Sequence, residues 1–89
     1  MPRWMAIGTA KGWNEAKILG EQMHDPRNWR PDARTTITTV YGLGDGRLLA
    51  ECSGVKLEDF EAWLAQKGWN VESITEIKLL AKTGSIWEL

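Results

Sequence analysis

Apolar positions fall in short blocks along the 89 residues, and the spacing inside each block predicts an element. RWMAIGTA (3–10) is brief and apolar, which reads as a buried strand. In WNEAKILGEQM (13–23), Trp13, Ala16, Leu19, Gly20 and Met23 recur on one face at helical spacing. Gly20 costs helix propensity, but on a buried face it lets a helix approach a sheet closely. Asp25-Pro26 ends this helix, because a residue before proline avoids the α region.

TTITTVYGL (35–43) is dense in β-branched and aromatic residues and predicts a strand, with RLLAECS (47–53) as its hairpin partner. The intervening GDG supplies positive φ for a tight turn. LEDFEAWLAQK (57–67) predicts a helix with acids in its first turn and Leu57, Phe60, Trp63 and Leu64 as its buried stripe. Gly68 is a natural C′ residue, with Trp69 folding back on the helix. SITEIKLLAKT (73–83) predicts a strand, and GSIWEL turns at Gly84 into a short extension strand. The order β-α-β-β-α-β implies one α+β domain over 1–89 of ferredoxin-like type, a four-stranded antiparallel sheet with two helices on one face.

A two-residue hairpin loop, Asp45-Gly46 or Gly44-Asp45, sets which residues share a face; a three-residue loop with a bulge breaks that inference. With two residues, Ile37, Thr39, Tyr41, Leu43, Leu48, Ala50 and Cys52 form the more apolar side, expected to meet the helices together with Met5, Ile7, Ile77, Leu79 and Ala81. Trp4, Ala6, Thr38, Val40, Leu49, Glu51, Ile74, Glu76, Lys78 and Leu80 then lie opposite. A side wholly open to water is more uniformly polar than this. A patch of Trp4, Val40, Leu49, Ile74 and Leu80 predicts a homodimer packed sheet against sheet, with Glu51, Glu76 and Lys78 lining or rimming the space between.

This element order over essentially the whole chain, with its mixed sheet face, resembles the dimeric α+β barrel proteins. That group includes antibiotic-biosynthesis-type monooxygenases, muconolactone-isomerase-like enzymes and many short bacterial proteins. The tail KTGSIWEL is similar to the endings of short prokaryotic proteins. The resemblance implies the fold and the pairing of two copies, and it carries over no individual residue.

Charge and composition narrow the classes further. Eleven basic against twelve acidic residues leave a net charge of −1, which argues against a grip on phosphate backbones. RLLAECS also lacks the aromatics that RNA-recognition modules stack on bases, so no nucleic-acid partner is expected. The single Cys52 rules out an internal disulfide and fits a reducing compartment. MPRWMAIGTAKGW has no apolar run long enough for a signal or a span, so the expectation is a cytoplasmic protein without membrane contact. Six tryptophans are many for so short a chain; two or three are expected in the core, and the rest either lie half exposed or line an interface or ligand cavity.

The candidate chemistry is sparse. His24 is the one side chain that titrates near neutrality unaided, and its place at a helix C-terminus suits an answer to the helix dipole as well as a base or haem ligand. One histidine and one distant cysteine lack ligand spacing, so no metal or resident cofactor is expected. Glu51 and Glu76 on an enclosed face would split their pKa values and do acid–base work, while a cross-strand ion pair with Lys78 is the plainer reading. GLGDG lacks the helix and lysine of a phosphate loop and is a turn. In HDPRNWRPDAR (24–34), a loop stiffened by prolines, Arg27, Trp29 and Arg30 are candidates for a rim that contacts an acidic or aromatic ligand, with Trp4 and Lys78 as further ligand contacts. Two functional readings follow. The first is a homodimeric module that binds a small molecule or a protein. The second is a dimeric-barrel enzyme, cofactor-independent or haem-using, of monooxygenase or isomerase type, with its site in a cavity at the sheet face.

Overall fold

The structure, a computed structural model, describes residues 1–88, with side chains through residue 84. Strand β1 (Arg3–Ala10) leads through helices α1 (Ala16–His24) and α2 (Pro26–Trp29) to β2 (Thr35–Gly42). β3 (Leu48–Gly54), α3 (Leu57–Gln66) and β4 (Trp69–Glu76) follow, and then β5 (Leu79–Lys82) and β6 (Ser85–Glu88). The first four strands form an antiparallel sheet in the order β2-β3-β1-β4, so each crossover steps over a strand of the other unit. The α+β class and the four-stranded antiparallel sheet agree with the sequence pattern. The described residues hold three helices rather than two, and β5 and β6 pair as a separate two-stranded sheet. No helix among the described residues is long and apolar enough to cross a membrane.

The last strand departs from its expected span of 73–83. Gly68, at φ 77°, ends α3 and turns the chain straight into Trp69, which is buried in the core, so β4 starts four residues early. It stops at Glu76 because its partner runs out: the Ile77 N–H donates to the carbonyl of Arg3, the first residue of β1. Ile77 and Lys78 therefore bridge β4 and β5 and lie outside both strands.

The hairpin fixes the faces, and it does so in two compensating steps. Its loop has three residues, Gly44 to Gly46, closed by the Leu43 N–H donating to the Arg47 carbonyl at 2.8 Å. Gly42 therefore pairs with Leu48 and Val40 with Ala50, one residue out of the expected register. A bulge at Thr38 restores it, so Ile37 faces Cys52 as expected. Thr39 and Tyr41 thus turn away from the helices and Val40 turns toward them, the reverse of the expectation.

β1 is also reversed relative to the sequence reading. Trp4, Ala6, Gly8 and Ala10 face the helices, and Met5 and Ile7 do not. Ile74 and Glu76, opposite Ala6 and Trp4, lie on the helix side as well. The expected open patch of Trp4, Val40, Leu49, Ile74 and Leu80 accordingly does not form. A second bulge, at Glu72 in β4, falls between the pairs Ile7–Ser73 and Gly8–Val71.

The helix side of the two central strands carries two large residues, Trp4 and Leu48, and beside them a floor of small ones: Ala6, Gly8, Ala10, Ala50, Cys52 and Gly54. That floor makes room for more tryptophan than composition suggests. Trp4, Trp13, Trp63 and Trp69 are 8%, 4%, 2% and 7% exposed, and Phe60 is fully buried beside them. Trp13 meets Trp63 and Trp69 edge-on at 5.8 and 5.4 Å between ring centroids, a geometry worth about 0.5–1.5 kcal/mol per pair beyond area burial. Ile18, Leu19 and Met23 of α1 pack against the same cluster. Ala16 and Gly20 are exposed, so the buried face of α1 is rotated from the one its spacing predicted.

Two glycine substitutions separate these roles. A Cβ on Gly8 would sit 2.3 Å from the Asn70 carbonyl oxygen, whereas one on Gly20 meets nothing within 4 Å. Gly8→Ala is expected to lose about 1–3 kcal/mol in urea denaturation. Gly20→Ala is expected to gain about 0.5–1 kcal/mol, because α1 approaches nothing there.

Candidate functional site

The stretch 24–34 is a pinned segment rather than a free loop. Pro26 opens α2 at a position where its missing N–H costs nothing, and the Asp25 carboxylate caps the turn by accepting from the Arg27 N–H at 2.9 Å. The Arg27 guanidinium folds back on the same carboxylate at 2.8 Å and, with that backbone bond, holds Asp25 down at about 2. Across the fold, the Trp63 indole N–H donates to the Asn28 carbonyl at 2.6 Å, and Lys67 Nζ donates to Asn28 Oδ1 at 3.1 Å. Asp32 closes the segment by accepting from the Arg34 N–H at 2.7 Å.

Pinning α2 this way leaves a cleft of about 490 Å³ between the end of α1, α2 and β2. Met23, His24 and Trp29 wall one side, and Thr36, Ile37 and Thr38 wall the other. The volume falls within the range of small-ligand sites. Thr38 is the bulged residue, and its hydroxyl donates to the Glu51 carbonyl at 3.3 Å. A second cleft, about 230 Å³, lies between α3 and β4 over Leu64, Trp69 and Ile74, and the buried Trp69 indole N–H has no hydrogen-bond partner among the described residues.

The structure gathers two of the predicted residues, His24 and Trp29, in the larger cleft. Arg27 points outward, 90% exposed, in its ion pair with Asp25, and Arg30 is exposed beyond α2. Trp4 is part of the core rather than a ligand contact. Glu51 shares the open face with Met5, whereas Glu76 lies opposite Trp4 on the helix side, so the two carboxylates do not meet. Lys78 pairs with Glu76 at 3.2 Å on the surface. Among the described residues, no cluster of His, Cys, Asp or Glu is arranged to hold a metal. Burial pushes the Cys52 thiol up to about 12, which removes it as a nucleophile. Sequence reasoning missed Met23, Thr36 and Thr38 as cleft residues; the dense β-branching of 35–40 marks a strand but not the bulge that opens it.

Fold and cleft together define a small α+β domain with a preformed surface groove. No family model, curated protein or solved structure matches the chain.

Trp63→Phe removes the bond to Asn28 and gives up part of the indole's packing on Trp13 and Trp69. It is expected to cost about 1–3 kcal/mol and to speed tryptic cleavage after Arg27 and Arg34, read by mass spectrometry of timed digests. Cys52 gives a pH dependence of definite sign. The unfolded thiol ionises near 9.0 and the folded one near 12, so its contribution is complete below about pH 9 and drains away as pH rises toward 12. Urea midpoints are expected to fall more steeply between neutral and alkaline pH in the native chain than in Cys52→Ala.

Proposed function

We propose that the chain is a ferredoxin-like domain that pairs with a second copy through its open sheet face and works as a binding module. The split order of its two β-α-β units, with β1 and β3 central, supports the fold assignment. The composition of the open face supports the pairing. Its rows run Tyr41–Leu49–Ile7–Ser73 and then Thr39–Glu51–Met5–Thr75, with Thr36–Ser53–Arg3 beyond. Tyr41, Leu49, Ile7 and Met5 make a continuous apolar centre, and hydroxyls surround it, the arrangement of an interface core and rim. Arg3 and Glu51 offer a two-fold copy one charge of each sign.

Size sets the strength of the pairing. Four strands about 4.8 Å apart and about eight residues long present roughly 500 Å² per copy. Twice that lies at the lower edge of specific interfaces, which implies a reversible, concentration-dependent dimer. The enzymatic alternative loses its acid–base pair with the separation of Glu51 from Glu76, and the binding reading keeps its support. Sedimentation equilibrium is expected to show mass rising from one chain to two through the micromolar range. Leu49→Arg, on the open face and outside the core, is expected to hold the protein at one chain mass with an unchanged melting profile. A native chain that stays monomeric at every concentration removes the proposal.

A further inference from the structure

We infer that the free edge of β2, beside the cleft, docks an extended acidic peptide from a partner protein as an added strand. The edge is independent of the open sheet face, so this inference stands or falls apart from the dimer.

The two edges of the sheet are built differently. β4 carries Glu72 and Glu76, which pair with Arg47 at 3.8 Å and Lys78 at 3.2 Å. Charges of this kind keep an edge from pairing with another chain. β2, TTITTVYG, has no charged residue and no proline between Thr35 and Gly42. Among the described residues β3 is its only strand neighbour, and past the isolated Asp32–Thr35 bridge at its start this leaves a row of backbone donors and acceptors on its outer side. The Thr38 bulge interrupts that row without adding a charge.

Alongside this edge lies the cleft. Side chains of an added strand alternate in direction, so every second one turns toward the helical layer. The groove is mainly apolar, through Met23, Trp29 and Ile37, with His24, Thr36 and Thr38 as its polar lining, and it is large enough for a leucine or phenylalanine side chain. The Asn28 clamp holds its far wall in place before anything binds.

Charge selects the peptide. Arg27 is already answered by Asp25. Arg30 and Arg34 are exposed and have no ion-pair partner among the described residues, and they precede β2 directly. An acidic residue beside the apolar anchor meets them. A second copy offering its own β2 brings only the flanking Asp32, engaged by the Arg34 N–H, and Asp45, held by its own Arg47, which makes a partner of different sequence the better occupant.

The full chain, isotope-labelled, is titrated with a capped peptide Glu-Val-Thr-Leu-Thr-Val-Glu. Amide shifts and slowed hydrogen exchange are expected along Ile37 to Tyr41, together with a shift of the Trp29 indole. Methylating alternate peptide nitrogens, which removes the strand bonds, is expected to abolish binding. Replacing both glutamates with lysine is expected to weaken it, and the double variant Arg30→Glu, Arg34→Glu reverses that preference, by about fivefold per ion pair at most. Three results overturn the inference: no protection of β2 at millimolar peptide, equal binding of the methylated peptide, or, in the Leu49→Arg chain that cannot pair through the open face, β2 protection that grows with protein concentration alone. The second marks a side-chain pocket, and the third marks self-pairing.

Discussion

The smallness of the side chains on the helix-facing side of β1 and β3 is the constraint on which the rest depends. Interiors are close-packed, so the volume that Ala6, Gly8, Ala10, Ala50, Cys52 and Gly54 leave empty must be filled from above. Trp13 from the turn before α1, Phe60 and Trp63 from α3, and Trp69 from the start of β4 fill it. The indole of Trp63 then has one polar atom to satisfy, and the Asn28 carbonyl satisfies it. A packing decision on the sheet thereby sets the position of α2, and α2 sets the shape of the cleft.

The same constraint explains where the sequence was legible. The succession β1, α1, β2, β3, α3, β4, the presence of a hairpin over 35–53 and the α3 stripe of Phe60, Trp63 and Leu64 rest on local periodicity and are as read. The short helix α2, the break after Glu76 and the three-residue hairpin loop are not. The faces of β1 were read in reverse because the more apolar set was assigned to the core. That rule weighs side chains one layer at a time. Here the helical layer supplies most of the bulk, so beyond Trp4 the core face of β1 reads as Ala, Gly and Ala while Met5 and Ile7 look outward. In β2 the loop length and the Thr38 bulge each shift register by one, and only their sum was anticipated. Ile37 therefore falls where expected, and Thr39 and Tyr41 do not.

The cleft was half legible. Proline, tryptophan and arginine in 24–34 marked the segment, and Trp29 does wall the groove. Its anchoring was hidden, since a main-chain carbonyl carries no residue signature and its donor lies 35 positions away. Glu51 and Glu76 failed as a pair for a parity reason. Their partners on β1, Met5 and Trp4, are adjacent residues and point to opposite sides.

The tryptophan cluster also shapes how this molecule handles light. Trp13, Trp63 and Trp69 stand 5.4 to 6.1 Å apart between centroids, close enough for their excited states to mix. Excitation of any of the three passes readily to its neighbours. The share of the chain's ultraviolet emission that arises in this trio, beside that of its other three tryptophans, therefore reports the seating of helix on sheet rather than the surroundings of a single ring.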